Sequence, residues 1–317
     1  MIEVKHLVKR YGNNLAVSDL SFTIEKGRIY GFLGPNGAGK STTMNIMTGC
    51  LAATGGQVLI GGYDIFEQAH MAKKLIGYLP EHPPVYLDRT AVEYLTFVGN
   101  AKGLKGLKLK QEIQRVMEVT QITHMKDRLI GHLSKGYRQR VGIAQAILGD
   151  PEVIILDEPT VGLDPMQIKE IRAVIMELGK DHTVILSSHI LSEVQAVCET
   201  IMIINGGKLI AMDTPENLEK QFAGDTVIEL TVLTDEAQAT KLLEQAENVQ
   251  MISSKEEDGC FCAELKLTNE DEQGACLAIS KAFMEAGIPV LKLNPAHASL
   301  EDVFIRLTAE ASIKEVR

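Results

Sequence analysis

No tryptophan occurs in the 317-residue chain, and only 5% of its residues are aromatic. No apolar run approaches the ~18 residues that a membrane-spanning helix needs, so the chain is not expected to cross a bilayer by itself. The N-terminal stretch MIEVKHLVKRYG has charges but no apolar core behind them, which excludes a secretory leader there. Cysteines are few and odd in number: Cys50, Cys198, Cys260, Cys262 and Cys276. Without a leader, that count points to reduced thiols rather than a disulfide framework. Cys260 and Cys262 are spaced like half of a metal site, yet no His or second Cys pair follows at ligand spacing. On a strand, residues i and i+2 simply share a face. Internal repeats and low-complexity segments are also missing. Together these absences place the protein in the cytoplasm unless a partner holds it at a membrane.

What is present is ordinary for a soluble globular protein: 45% hydrophobic and 23% charged residues. The length suits one large domain plus a small one. The charge is unevenly placed. Residues 1–220 hold 24 basic and 24 acidic side chains, while residues 221–317 hold 8 and 18, so the whole net charge of −10 lies in the last hundred residues. An acidic region of that size argues against a general attraction to nucleic acid. It also marks a domain boundary near 220–225, and the expected domains are 1–222 and 223–317.

Three short strands are expected within residues 2–33: IEVKHLV, LAVSDLSFTI and RIYGFL. A glycine-rich loop follows, then the helical KSTTMNIMTGCL, which ends near Gly49. QVLIGGYDI reads as a strand and turn, residues 66–75 as a helix, and LIGYLP as a strand stopped by Pro80. From Thr90 to His132 the periodicity is helical, broken by KGLKGLKLK at 102–110. This is a helical insertion, about 88–140, between strands. Its lysine run is read as a solvated connection rather than a phosphate or lipid site. PEVIILD and HTVILSS are unbroken apolar strands on either side of a helix from Pro165 to Gly179. Such runs suit a parallel sheet buried on both faces, and the alternation gives an α/β core. The last hundred residues read β-α-β-β-α-β, closing on a helix at SLEDVFIRLT, which suggests a small ferredoxin-like α+β domain.

GPNGAGKST, from Gly34 through Pro35, Asn36, Gly37, Ala38, Gly39, Lys40 and Ser41 to Thr42, fits the phosphate-loop pattern between a strand and a helix. Its glycines let backbone N–H groups turn around phosphates, and the helix N-terminus adds a positive dipole end. Lys40 can reach the β- and γ-phosphates, and Ser41 can offer its hydroxyl to Mg²⁺. In VIILDEP, Asp157 ends an apolar strand where a carboxylate can hold Mg²⁺ beside Ser41. Glu158 points the other way, toward an attacking water, the place of a general base. His189, after the strand HTVILSS, is positioned to contact the γ-phosphate or orient that water. Tyr11 can stack on a base. The basic segment LSKGYRQR, residues 133–140, leaves two readings: a nucleic-acid patch, or half of a site completed elsewhere.

Taken together, these motifs over roughly residues 1–220 resemble the nucleotide-binding subunit of an ATP-binding-cassette (ABC) transporter. The resemblance implies a P-loop NTPase core with an antiparallel β subdomain, and ATP and Mg²⁺ as cofactors. It makes GPNGAGKST the Walker A loop, VIILDE the Walker B strand with Glu158 catalytic, and Tyr11 the adenine-stacking residue. His189 is then the switch histidine, and VGLD, residues 161–164, the D-loop. LSKGYRQR falls where the family has LSGGQ, which closes over the ATP of a partner chain. Ser134, Gly136 and Asp164 are therefore expected as contacts in trans, and nucleic acid is not an expected partner.

The sequence departs from the family pattern at Lys135, at Tyr137, and at Glu81, which stands where a Gln offers oxygen to Mg²⁺. GYLPEHPP and the acidic extension look like the ATPases of two-component exporters, whose permease is a separate chain. The resemblance thus implies a dimer with a second copy or a related ATPase, and integral-membrane permease subunits as partners. It also implies a position at the inner face of the cell membrane. The helical insertion and the Glu81–Tyr86 loop, stiffened by Pro83 and Pro84, are the expected permease contact. An importer ATPase and a non-transport ABC ATPase acting on DNA or ribosomes are the alternatives.

Overall fold

A computed structural model describes residues 1–222, 227–244, 249–257, 259–268 and 271–296, with 301 and 304. In chain order the first elements are β1 (Ile2–Tyr11), β2 (Asn14–Ile24), β3 (Ile29–Leu33), α1 (Lys40–Met47), β4 (Gly55–Ile60) and β5 (Tyr63–Asp64). Then come α2 (Ala69–Lys74), β6 (Ile76–Leu79), α3 (Ala91–Ala101), α4 (Gly106–Val119), α5 (Lys135–Ile147) and β7 (Val153–Leu156). They are followed by α6 (Pro165–Leu178), β8 (Thr183–Ser188), α7 (Leu191–Gln195), β9 (Thr200–Asn205), β10 (Lys208–Asp213) and α8 (Pro215–Phe222). The remainder is β11 (Val227–Val232), α9 (Glu236–Leu243), β12 (Val249–Glu257), β13 (Cys260–Leu267), α10 (Glu272–Glu285) and β14 (Val290–Ala296). The helix expected over SLEDVFIRLT lies outside the described residues apart from positions 301 and 304. The chain divides into two compact units between Pro215 and Glu216, ahead of the boundary expected at 222/223.

The first unit is built on a six-stranded sheet in the order β10-β9-β3-β8-β7-β6. Its strands run parallel from β9 to β6, and only β10 is antiparallel. Every residue of β3, β7 and β8 is buried, which is why they read as unbroken apolar runs rather than alternating ones. A second, antiparallel sheet, β2-β1-β4-β5, packs its apolar face into the same core. Phe22 of that sheet meets Phe32 of β3 edge to face at 5.5 Å. Each such fully buried large side chain stabilises the unit by roughly 1.5–3 kcal/mol relative to exposure. The consequence for function is positional. Leu33 pairs with Ser188, and Leu156 with Leu186, so the carboxyl ends of β3, β7 and β8 emerge side by side. That is where ligands bind in open α/β sheets.

The helical insertion comprises α3, α4 and the start of α5. Thr90 and Glu93 form a capping box at the start of α3. The interruption expected over 102–110 is shorter in the structure, because α4 already begins at Gly106. Gly103 and Gly106 take positive φ values of 86° and 57° and make the break. Beyond it, Leu109 turns into the core while Lys108 and Lys110 stay exposed. Lys102 closes the other end of the insertion by donating to the carbonyls of Gln145, Ala146 and Leu148 at 2.7–3.1 Å. For α7, β9, β10 and α8 the sequence reading gives no corresponding element.

The second unit follows the expected β-α-β-β-α-β order. Its sheet is antiparallel with order β12-β13-β11-β14. Ile228, Leu230 and Val232 alternate inward on β11 and pack with Phe261, Ile279 and Phe283.

Close packing of α5 on β6 leaves no room at Gly77, where a Cβ would stand 2.3 Å from the Ala146 carbonyl oxygen and 2.9 Å from Pro151 Cγ. Gly77→Ala is expected to destabilise the first unit by about 1–3 kcal/mol, read as an earlier denaturant midpoint of that unit.

Candidate active site

The loop after β3 is shaped by three glycines. Gly37 and Gly39 take φ values of 83° and 101°, a region that side chains resist. Gly34 has no space for one, since a Cβ would meet the Ile204 carbonyl oxygen at 2.2 Å. No side chain caps α1 at Gly39, so its first N–H groups remain available to an anion. Lys40 is buried at 5% exposure. Its Nζ curls back to donate to the carbonyls of Gly34 at 2.8 Å and Pro35 at 3.2 Å, and lies 3.8 Å from Glu158 Oε1. Burial lowers the Lys40 pKa; the nearby Glu158, Asp157 and Glu81 carboxylates oppose that shift.

The two acids after β7 separate for a backbone reason. The strand ends at Leu156, and Glu158 takes a φ of +48°. That left-handed turn, rather than strand alternation, sends their side chains apart. Asp157 Oδ1 accepts from Ser41 Oγ at 3.2 Å and from Ser187 Oγ at 2.6 Å. Ser187 Oγ in turn accepts the Glu158 N–H at 2.9 Å. Glu158 Oε2 lies 3.0 Å from His189 Nδ1. Glu158 thus sits between a buried ammonium and an imidazole, with both contacts made by its own chain.

One pocket of about 250 Å³ gathers Asn36, Gly37, Ala38, Gly39, Lys40, Ser41, Thr42, Glu81, Glu158 and His189. Asp157 lies beneath it through Ser41. Tyr11 is not part of this lining. It is 49% exposed at the end of β1, with the Lys9 ammonium 5.1 Å from its ring centre. Ser134, Gly136 and Asp164 are also outside the pocket. Ser134 caps α5 by accepting the Tyr137 N–H at 3.4 Å, and Asp164 caps α6 by accepting the Gln167 N–H at 2.9 Å. These three form one patch of their own. A Cβ at Gly136 would meet Gln167 Oε1 at 2.6 Å, and Lys135 Nζ lies 2.3 Å from where a Gly162 Cβ would stand. Arg140 is buried and binds the Thr120 carbonyl, Gln121 and the Glu170 carboxylate, so it does not offer its charge to nucleic acid.

Sequence reasoning passed over Ser187 and Ala16, and took Val161 only as the first residue of VGLD. The last two line the pocket, and nothing in their residue type marks them. Ser187 had a signal: with Ser188 it is a polar pair closing an apolar strand just before His189.

The donor set fits Mg²⁺. Ser41 and Asp157 present hard oxygens 3.2 Å apart, and the Glu81 carboxylate faces the same pocket. Among the described residues no group of three His, Cys, Asp or Glu could hold a metal alone. Mg²⁺ at a phosphate needs no such cage, because one or two protein ligands suffice beside phosphates and waters.

This is the geometry of a P-loop nucleoside triphosphatase. Comparison with known proteins places it more narrowly. An ABC transporter family model matches residues 17–161. The chain is 38% identical to the bacitracin transport ATP-binding protein BcrA of Bacillus licheniformis, over 99% of each chain. It is 37% identical to the linearmycin resistance ATP-binding protein LnrL of Bacillus subtilis, over 73% of this chain and 75% of that one. Against the Nod factor export ATP-binding protein I of Ralstonia nicotianae the figure is 31%, over 97% and 94%. A solved structure of an ABC transporter ATP-binding subunit superposes with a TM-score of 0.64 at 30% identity, covering 70% of this chain and 93% of that one. The chain belongs to the ATP-binding subunits of ABC transporters, and it is an ATP-hydrolysing enzyme.

Lys40 must be charged to hold a triphosphate, and burial makes it shed its proton below the ordinary lysine range. ATP affinity should therefore fall on the alkaline side before a free lysine would titrate. Lys40→Met is expected to weaken ATP binding by about tenfold or more and to flatten that alkaline limb. Nucleotide titrations between about pH 7 and 10 check both; wild-type affinity that stays level to the top of this range refutes the assignment.

Proposed function

We propose that this chain powers export through a separate membrane permease, held by it at the inner face of the cell membrane. Two copies bind two ATP molecules at their shared interface. Each site takes the 34–42 loop, Asp157, Glu158, Glu81 and His189 from one chain. It takes Ser134, Gly136 and Asp164 from the other, and Tyr11 stacks on the adenine. The observation that carries this reading is the split just described. Lys40, Ser41, Glu81, Glu158 and His189 share one pocket, while the capped starts of α5 and α6 lie outside its lining. A helix N-terminus attracts an anion, and a partner's γ-phosphate is such an anion.

When bound, Mg²⁺ neutralises charge on the phosphates. Glu158 orients water for in-line attack, and His189 holds Glu158 in place and meets the γ-phosphate. Lys40 stabilises the charge that develops during transfer. Loss of the γ-phosphate removes what bridges the two chains, and the dimer opens. The relatives named for linearmycin resistance and Nod factor export support export as the direction. A drug, peptide or lipid-like cargo follows from the same likeness. The second unit is read as a dimer-stabilising or regulatory accessory.

Glu158→Gln keeps the site's shape but removes its base. ATP hydrolysis should fall by roughly 10²-fold or more, and the protein should elute as an ATP-dependent dimer in size-exclusion. Ser134→Arg in that background should return it to monomer; an ATP-tight monomer from the start excludes the homodimer.

The permease contact is assigned to a groove of about 530 Å³ lined by Tyr86, Asp88, Arg89, Glu93, Tyr94 and Phe97. Tyr86 packs on Tyr94 and Phe97 with ring centres 5.8 and 5.5 Å apart, yet Tyr86 and Phe97 remain 48% and 54% exposed. Exposed aromatics of this kind mark interaction sites. Phe97→Glu should abolish transport in permease-containing membranes while basal hydrolysis by the isolated chain stays within about twofold of wild type, since a surface change there disturbs no buried group. Equal loss of both activities would count against a coupling role.

A further inference from the structure

Glu193 on α7 is a buried carboxylate, only 7% exposed, and among the described residues no cation pairs with it. Burying a carboxylate is costly unless hydrogen bonds replace its hydration. Two hydroxyls do so, both at Oε2. Thr160 Oγ1 donates at 2.5 Å and Ser188 Oγ at 3.1 Å. Both donors are buried as well, at 5% and 1% exposure.

The donors come from the two segments that carry the chemistry. Thr160 stands two residues after Glu158, and Ser188 immediately before His189. Ser188 Oγ also accepts the Ile190 N–H at 3.0 Å. Its proton is thus committed to Glu193 and its lone pair to the turn that presents His189. On the other side, the Val161 N–H returns to the Glu158 carbonyl at 3.2 Å, closing the turn around Thr160. Glu158 itself holds a φ of +48°. A non-glycine residue stays in that region when its surroundings impose it. The geometry that results is the 3.0 Å approach of Glu158 Oε2 to His189 Nδ1. Glu193 does not line the pocket that holds Lys40 and the phosphate loop.

We propose that Glu193 is a positioning residue for ATP hydrolysis, a carboxylate clamp that keeps the Glu158 turn and the His189 turn in register. The inference rests on the catalytic roles proposed for Glu158 and His189. Hydroxyl bonds to a buried carboxylate are among the stronger ones a protein makes. Removing them takes away one link between the two turns, leaving the Glu158 N–H bond to Ser187 Oγ and the residues that hold the triphosphate in place. The expected signature is a loss in kcat with little change in nucleotide affinity.

The test measures steady-state hydrolysis and binding of a non-hydrolysable ATP analogue on the full chain. In Glu193→Ala, kcat should fall about 10- to 100-fold, the scale of misplacing a reacting group by ~1 Å, with analogue affinity within about threefold. Glu193→Gln keeps an acceptor oxygen and should restore most of that loss. Adding Thr160→Val and Ser188→Ala to Glu193→Ala should cost little more, because the clamp is already gone. An unchanged kcat in Glu193→Ala, beside a Glu158→Gln protein that no longer hydrolyses ATP, overturns the clamp and leaves the catalytic reading standing. Undiminished hydrolysis in Glu158→Gln overturns that reading first. Parallel loss of kcat and analogue affinity would mark Glu193 as merely structural. Should Glu193→Ala not fold, the Thr160→Val, Ser188→Ala protein carries the same comparison of kcat with affinity.

Discussion

A desolvated ammonium holds the site together. Lys40 is buried, donates to two carbonyls and has the Glu158, Asp157 and Glu81 carboxylates nearby, and removing such a charge from water is tolerable only if anions and acceptors surround it. In this structure Glu158 supplies the anion. A triphosphate offers more charge at the same point, so it competes with Glu158 for Lys40. On the proposed mechanism, arrival of the substrate would release Glu158, the residue assigned to orient water, from this ion pair. The rest of the first unit serves this arrangement. β3 must lie between β9 and β8, with β7 beyond, or the lysine and the carboxylates would not meet.

That constraint explains what the sequence discloses and what it withholds. The phosphate loop is legible because its demands are local: glycine where φ is positive, lysine at the first helical position, a strand before and a helix after. β7 and β8 are legible because burial on both faces writes itself as an unbroken apolar run. The second unit is legible from alternation, since one face of its sheet meets two helices. Where the demand is tertiary, the sequence says little. Nothing in VIILDEP announces that Glu158 leaves the strand with a left-handed φ; the Ser187 hydroxyl, on another strand, accepts its N–H. Ala16 and Val161 reach the pocket only through the fold. The break in the insertion is shorter than the sequence suggests because the glycines and lysines of KGLKGLKLK mask the leucines between them. Only the structure shows Leu109 turning inward while its lysine neighbours coat the outer face.

The departures from the family pattern take on physical meaning from the same geometry. Tyr137, where the family has Gln, is not loose on the surface. Its hydroxyl lies 3.2 Å from His124 Nε2, its ring meets the imidazole edge to face, and the Arg140 guanidinium lies over it at 5.7 Å. Tyr137 thereby ties the start of α5, with Ser134 and Gly136, to the short turn that follows α4. Lys135 lies across Gly162, and that glycine, at a φ of +67°, leaves room for the ammonium. Both substitutions add contacts within the chain at the patch assigned to the partner's nucleotide, while Ser134 and Gly136 keep the cap and the close backbone approach. The patch is held from two sides: by Tyr137 toward the insertion and by Lys135 toward the loop that leads to Asp164. A further tie links the two helix starts directly: Gly136 stands against the Gln167 side chain, and the Gln167 N–H is the one that Asp164 caps at 2.9 Å.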